Sequence, residues 1–162
     1  MISEKMAAAL NQQLNAELFA SYLYLSMAAY LETTPYEGMA HWMKEQSKEE
    51  YGHAMKFFEY INEVGKRAKL ETLEAPKFEW ESPKAAFEGA YEHELKVTKM
   101  INDLVALSRQ ENDYATESFL NYFVKEQVEE VSSVTKIIEK FNAINGSVGG
   151  LFYLDKSLGK RE

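Results

Sequence analysis

The chain has 162 residues, the length of one domain, and can bury roughly two thirds of the surface that its unfolded form exposes. Its net charge of −8 disfavours nucleic acid and anionic membrane as partners and admits metal cations. It has no cysteine, which excludes disulfides, zinc ribbons and cysteine-held iron–sulfur clusters, and no run of about 18 apolar residues that would span a bilayer. No apolar leader follows Met-Ile-Ser-Glu-Lys, so a reducing, cytoplasmic setting is expected.

In chain order, helical periodicity first runs from about Ser3 to Glu32 and is interrupted by Thr33-Thr34-Pro35. A second helix runs from about Tyr36 to Val64, with Gly65 placed to stop it. Ser82-Pro83 opens a third, a capping serine before proline at the first helical position, which continues to about Glu111. After the Asn112-Asp113 turn a fourth reaches about Asn145, where Asn145-Gly146 ends it. A short amphipathic piece over about Ser147–Leu158 completes the chain, carrying Leu151, Phe152, Leu154 and Leu158. The first and third connections are short and imply antiparallel neighbours, whereas Gly65 to Ser82 is long enough to travel the length of a helix. The expectation is an all-α fold, residues 1–162 in one domain. A four-helix bundle spans about 3–145 with a long crossover between the second and third helices, and a short fifth helix spans about 147–158.

At about 100° per residue, Glu17 lies in the middle of an apolar stripe of Met6, Leu10, Leu14, Tyr24, Ala28 and Leu31. Glu50 lies among Met39, Met43, Ala54, Phe57, Ile61 and Val64, with His53 one turn on. Phe87, Ala90, Tyr91, Val97, Ile101 and Val105 surround Glu94. Leu120, Phe123, Val131, Val134, Ile138 and Phe141 surround Gln127, with Glu130 one turn on. Every long helix thus turns a carboxylate inward near mid-length. A buried carboxylate without a partner costs several kcal/mol, and folds tolerate it only with pairing, protonation or a metal. No inward Lys or Arg stands at these positions. An oxygen-rich set with one imidazole suits iron or manganese. Glu17, Glu50, Glu94 and Glu130 sum to −4, which two divalent ions, or two ferric ions sharing an oxide, would balance.

A single Glu-x-x-His pair carries little weight, because residues three apart share a helix face by chance. The weight lies in four inward acids at matching depth. His41 lies opposite Glu50 and is expected at solvent, and His93, one step round from Glu94, at the rim. Met39, Met43 and Met55 are expected to pack, Trp42 to be half-buried, and Trp80 to pin the crossover. Tyr24, two turns from Glu17 on the same face, offers a phenol to hydrogen-bond a ligand or supply an electron.

These residues resemble the bacterial non-haem ferritins over essentially the whole chain: Glu17 with Tyr24, then Glu49-Glu50-Tyr51-Gly52-His53, Glu92-His93-Glu94 and Glu126-Gln127-Val128-Glu129-Glu130. The resemblance implies a ferritin-like fold and a homo-oligomeric shell of twenty-four chains. It implies a ferroxidase that oxidises Fe(II) to Fe(III) with dioxygen or hydrogen peroxide and stores the product as ferric oxide mineral. By position, Glu17, Glu50 and His53 would hold the first iron of each chain. Glu50, Glu94 and Glu130 would hold the second, with Gln127 close by. Glu49, Glu126 and Glu129, with Glu130, resemble the third iron site of this group, against the plainer reading of a solvated helix face.

The departures from relatives are also informative. Gln127 and Glu130 stand where a bacterioferritin would carry a second Glu-x-x-His. Tyr51 stands where its haem methionine would follow the first, so no haem is expected. Without cysteine a rubrerythrin iron domain is excluded. The alternative to storage is a di-iron oxidase or peroxidase acting on another substrate, and beyond that a metal-free helical interaction protein.

Overall fold

The computed structural model describes residues 2–162 and contains five helices: α1 Glu4–Leu31, α2 Glu37–Glu63, α3 Pro83–Gln110, α4 Tyr114–Ile144 and α5 Val148–Leu158. No strand occurs among the described residues, and none of their helices is long and apolar enough to cross a membrane. Local chemistry sets most boundaries. Side-chain oxygens of Ser3, Ser82, Asp113 and Ser147 accept from the amides of Met6, Ala85, Thr116 and Gly150, satisfying donors that the first turns of α1, α3, α4 and α5 leave free. The stops of α2 and α4 use left-handed backbone: Gly65 has φ 78° after α2, and Asn145 and Gly146 have φ 49° and 77° after α4.

α2 differs, because Tyr36 at its start makes no side-chain cap. The Met39 amide donates instead to Asp155 Oδ1 of α5 at 2.8 Å. That contact requires α5 to approach closely, and Gly38 permits it. A Cβ at Gly38 would stand 1.9 Å from the Asp155 carbonyl oxygen.

α1 packs along α2 and α3 along α4, with α5 folded against α2 and the end of α4. Ser21 and Ser47 exchange hydroxyl-to-carbonyl bonds of 2.8 and 2.7 Å, which small side chains allow, and draw α1 and α2 together at mid-length. The long crossover lies along α1. Asn11 donates to the Arg67 carbonyl and accepts from the Lys69 amide; Asn15 repeats the pattern with Lys69 and Glu71. Further on, Ser26 donates to the Lys77 carbonyl, and Trp80 is buried with its ring 5.6 Å from Tyr30. The crossover therefore follows α1 from its first turns to its last.

The apolar core is divided in two. One cluster includes Met6, Leu10, Leu14, Phe57, Ile101 and Phe123; the other includes Met27, Leu31, Met39, Met43, Phe87 and Phe141. Between them lies a buried polar layer of Gln13, Glu17, Gln46, Glu50, His53, Glu94, Gln127 and Glu130. Small drifts separate this core from the expected faces. Leu104 and Ile137 are fully buried, whereas Val105 and Ile138 are partly so, because a helical face advances as it winds. Trp42, expected half-buried, is buried, and His41, expected at solvent, is half-buried. Both are covered by the end of the chain.

Candidate metal centre

Three groups of carboxylate and imidazole atoms lie close enough to hold cations. Glu17, Glu50 and His53 form one, Glu50, Glu94 and Glu130 a second, and Glu49, His53, Glu126 and Glu130 a third, with ligand atoms in each within 4.8 Å of one another. The first two are wholly buried and share Glu50. The third lies outward and takes in His53 and Glu130 from the inner pair. The His53 ring stands between levels: Nδ1 is 3.2 Å from Glu50 Oε2 and Nε2 is 3.6 Å from Glu126 Oε2. Glu129, expected in the outer group, is exposed and outside the cluster, although it lines a cavity of about 230 Å³ with Glu49 and Glu130.

Neutral side chains orient the acids. Gln13 donates to Glu17 Oε1 at 2.8 Å, four residues on. Gln46 has the same spacing to Glu50, and its Nε2 lies 2.8 Å from both Glu50 Oε1 and Glu130 Oε2, joining α2 to α4. Gln127 donates to Glu94 Oε2 at 3.1 Å and also reaches Thr98 Oγ1, so its amide nitrogen is engaged by α3 beside the second group. Tyr24 donates to Glu94 Oε1. Gln13 and Gln46 escaped the sequence reading. The signal was a Gln-x-x-x-Glu step repeated on the core faces of α1 and α2.

The centre carries more like charge than it can hold ionised. Burial and the Glu50 charge push Glu17 well above the usual carboxylate range. The same two causes raise Glu94 to about 7 and Glu130 to about 9. Burial opposes charge on His53, yet its bond to Glu50 and the surrounding carboxylates raise it to about 9. Glu50 is likewise opposed by burial but lowered overall by that bond to His53. The metal-free centre therefore holds a Glu50–His53 ion pair among acids that retain protons.

Two buried polar atoms of the groups, Glu17 Oε2 and His53 Nε2, have no hydrogen-bond partner. Such atoms are costly unless something else satisfies them. Hard carboxylate oxygens with one imidazole form a donor set suited to iron. The residues present thus fit the ion that the sequence reading expected.

The ferritin-like domain family matches residues 7–144. A bacterial non-heme ferritin of Bacteroides fragilis is 42% identical over 161 residues, covering 99% of this chain and all of that one. One of Staphylococcus epidermidis is 41% identical, covering 99% of this chain and 97% of that one. The chain belongs to the ferritin family. Among solved structures, this ferritin is similar to the open pore ferritin of the hyperthermophilic archaeon Archaeoglobus fulgidus, with a TM-score of 0.99 and 49% identity, covering 100% of this chain and 99% of that one. An engineered closed form of that archaeal ferritin matches with a TM-score of 0.98. Membership makes iron storage the setting in which this ferritin's buried acid layer is to be understood.

Proposed function

We propose that this ferritin oxidises ferrous iron at the buried layer and passes ferric product outward for storage as an oxide mineral. The observation that carries the reading is the sharing of ligands. Glu50 belongs to both inner groups, and His53 and Glu130 belong to an inner and the outer group. On this reading Glu17, Glu50 and His53 take one ferrous ion and Glu50, Glu94 and Glu130 the other, so that one carboxylate spans both. Each ferrous ion loses one electron. Dioxygen taking two electrons with two protons leaves as hydrogen peroxide, and hydrogen peroxide doing the same leaves as two waters.

The protein's own groups supply charge and protons. Entry of two divalent ions requires four carboxylates and a neutral imidazole. Glu17, Glu130 and His53 must each lose a proton, and Glu94 about half of one: about three and a half protons near pH 7. Tyr24 keeps its phenolic proton, because burial and the charges of Glu94 and Glu50 hold it well above its ordinary value. It therefore orients Glu94 as a donor. Glu49, Glu126 and Glu130 with His53 form the outward step, with Glu129 beside them at the cavity. That cavity, about 230 Å³, is lined by three glutamates together with Arg161, and membership of the ferritin family favours storage over a di-iron oxidase acting on small molecules. The shell of twenty-four chains and the cytoplasmic setting belong to the same proposal.

The test is anaerobic loading of the apoprotein with ferrous iron, followed by air. Fast growth of ferric absorbance is expected, and Glu50→Ala and Glu130→Ala should each slow it by roughly tenfold or more. Unchanged rates in both variants would overturn the site assignment.

A further inference from the structure

The penultimate residue of the chain returns to the outer metal group. Arg161 lies beyond the end of α5, yet it is fastened to α2 at four points. Its Nη2 donates to Glu49 Oε2 at 2.7 Å and its Nη1 to the Trp42 carbonyl at 3.3 Å. Its guanidinium carbon lies 4.4 Å from the centre of the Trp42 ring, and its own carbonyl is 2.6 Å from His41 Nε2. Arg161 is also the one basic residue lining the cavity that holds Glu49, Glu129 and Glu130. A guanidinium is always charged, weakly hydrated and shaped to clasp a carboxylate while stacked on an aromatic face. It stands where it both occupies a prospective ligand oxygen and opposes an incoming cation.

We propose that Arg161 is a tethered competitor for the outer cation position. In the metal-free protein it holds Glu49; a metal ion binding among Glu49, His53, Glu126 and Glu130 displaces it. The inner groups have no such rival, since none of Glu17, Glu50, Glu94 and Glu130 forms an ion pair with Lys or Arg. The consequence is a gradient of affinity built into one chain, with tight inner sites and an outer site weakened so that iron passes through it. The inference rests on reading the outer group as a cation site. What it adds is a residue that sets the affinity of that site from the far end of the sequence.

The test uses the full-length, assembled apoprotein and zinc alone, a redox-inert divalent probe, followed by isothermal titration calorimetry. The outer class of sites is defined as the one that Glu126→Ala removes. Arg161→Gln is expected to tighten that class by about two- to fivefold, the range for a partly exposed ion pair, with the inner classes unchanged. Arg161→Lys, which keeps the charge but loses the fork and the stack, is expected to fall between. A merely structural tail contact predicts no such gain, because loosening the tail would weaken the outer site or leave it alone. An outer class that is present but not tightened in Arg161→Gln overturns the proposal and leaves the outer site standing. Absence of any class sensitive to Glu126→Ala overturns both.

Discussion

Tyr24 on α1 donates its buried phenolic hydroxyl to Glu94 Oε1 on α3, across the polar layer that divides the core. The bond favours the ionised form of Glu94, against burial and the Glu50 charge that raise it to about 7. Glu94 must shed its proton to take a cation, so the bond bears on function near neutrality. In Tyr24→Phe the ring still fills its place and the donor is lost. Ferric absorbance rates measured from pH 6 to 8 should show the rising limb moved to higher pH, with the rate at pH 7 down about two- to tenfold. An unmoved limb would remove Tyr24 from any role through Glu94.

The metal-free protein should weaken as pH rises. Glu94 and Glu130 are raised to about 7 and about 9 in the folded state, so folded chains keep protons there that unfolded chains release above about 4.5. Their contribution to stability is lost as pH climbs through those values. His53, raised to about 9, has the same sign: its stabilisation is full below about 6.5 and disappears as pH passes about 9. Melting temperatures of the apoprotein should therefore fall from pH 6 to 9, and a divalent cation should reverse the trend, because binding needs the deprotonated forms. A flat apoprotein profile would contradict the proton-holding layer.

Gln46 carries no charge, yet its amide ties Glu50 to Glu130 across α2 and α4. Gln46→Leu keeps the volume and removes the donor from both carboxylates. Losing a buried bond of this kind costs about 1–3 kcal/mol, measurable by chemical denaturation. Disordered ligand orientation should lower inner-site zinc affinity by about tenfold, and full affinity in the variant would reduce Gln46 to a packing residue.

α5 is expected to depend on a single missing side chain. A Cβ at Gly38 would overlap the Asp155 carbonyl, a backbone atom that cannot turn aside. Gly38→Ala should therefore loosen α5, seen as faster proteolysis between α4 and α5. Asp155→Ala should remove only the cap on the Met39 amide, at about 1 kcal/mol. Equal protease resistance in Gly38→Ala and the parent would show that α5 is held otherwise.

Much of this molecule is legible in one dimension. Helix starts at Ser3, Ser82 and Asp113 lie in capping side chains, and stops at Gly65 and Asn145 in residues that accept left-handed backbone, each adjacent to the turn it bounds. The core faces follow from the 3.6-residue period, and the same period places Glu17, Glu50, His53, Glu94 and Glu130 inward at one depth. Four such acids bring with them the need for pairing, protonation or a cation, whatever the packing angles. The motifs around those acids carry the resemblance to ferritins, and the family is confirmed over residues 7–144.

Other relationships required the folded chain. Asn11 and Asn15 look like ordinary helix residues until the crossover lies beside them and uses their amides as a rail. The start of α2 has no cap of its own and borrows Asp155, 116 residues away. Arg161 has no periodic partner, and its pairing with Glu49 follows from where α5 delivers the end of the chain. The physical reason is the same in each case. Periodicity and capping act over one or two helical turns, so they fix faces and ends. Which neighbour a face or tail meets is decided by close packing between segments far apart in sequence, and no local pattern encodes it.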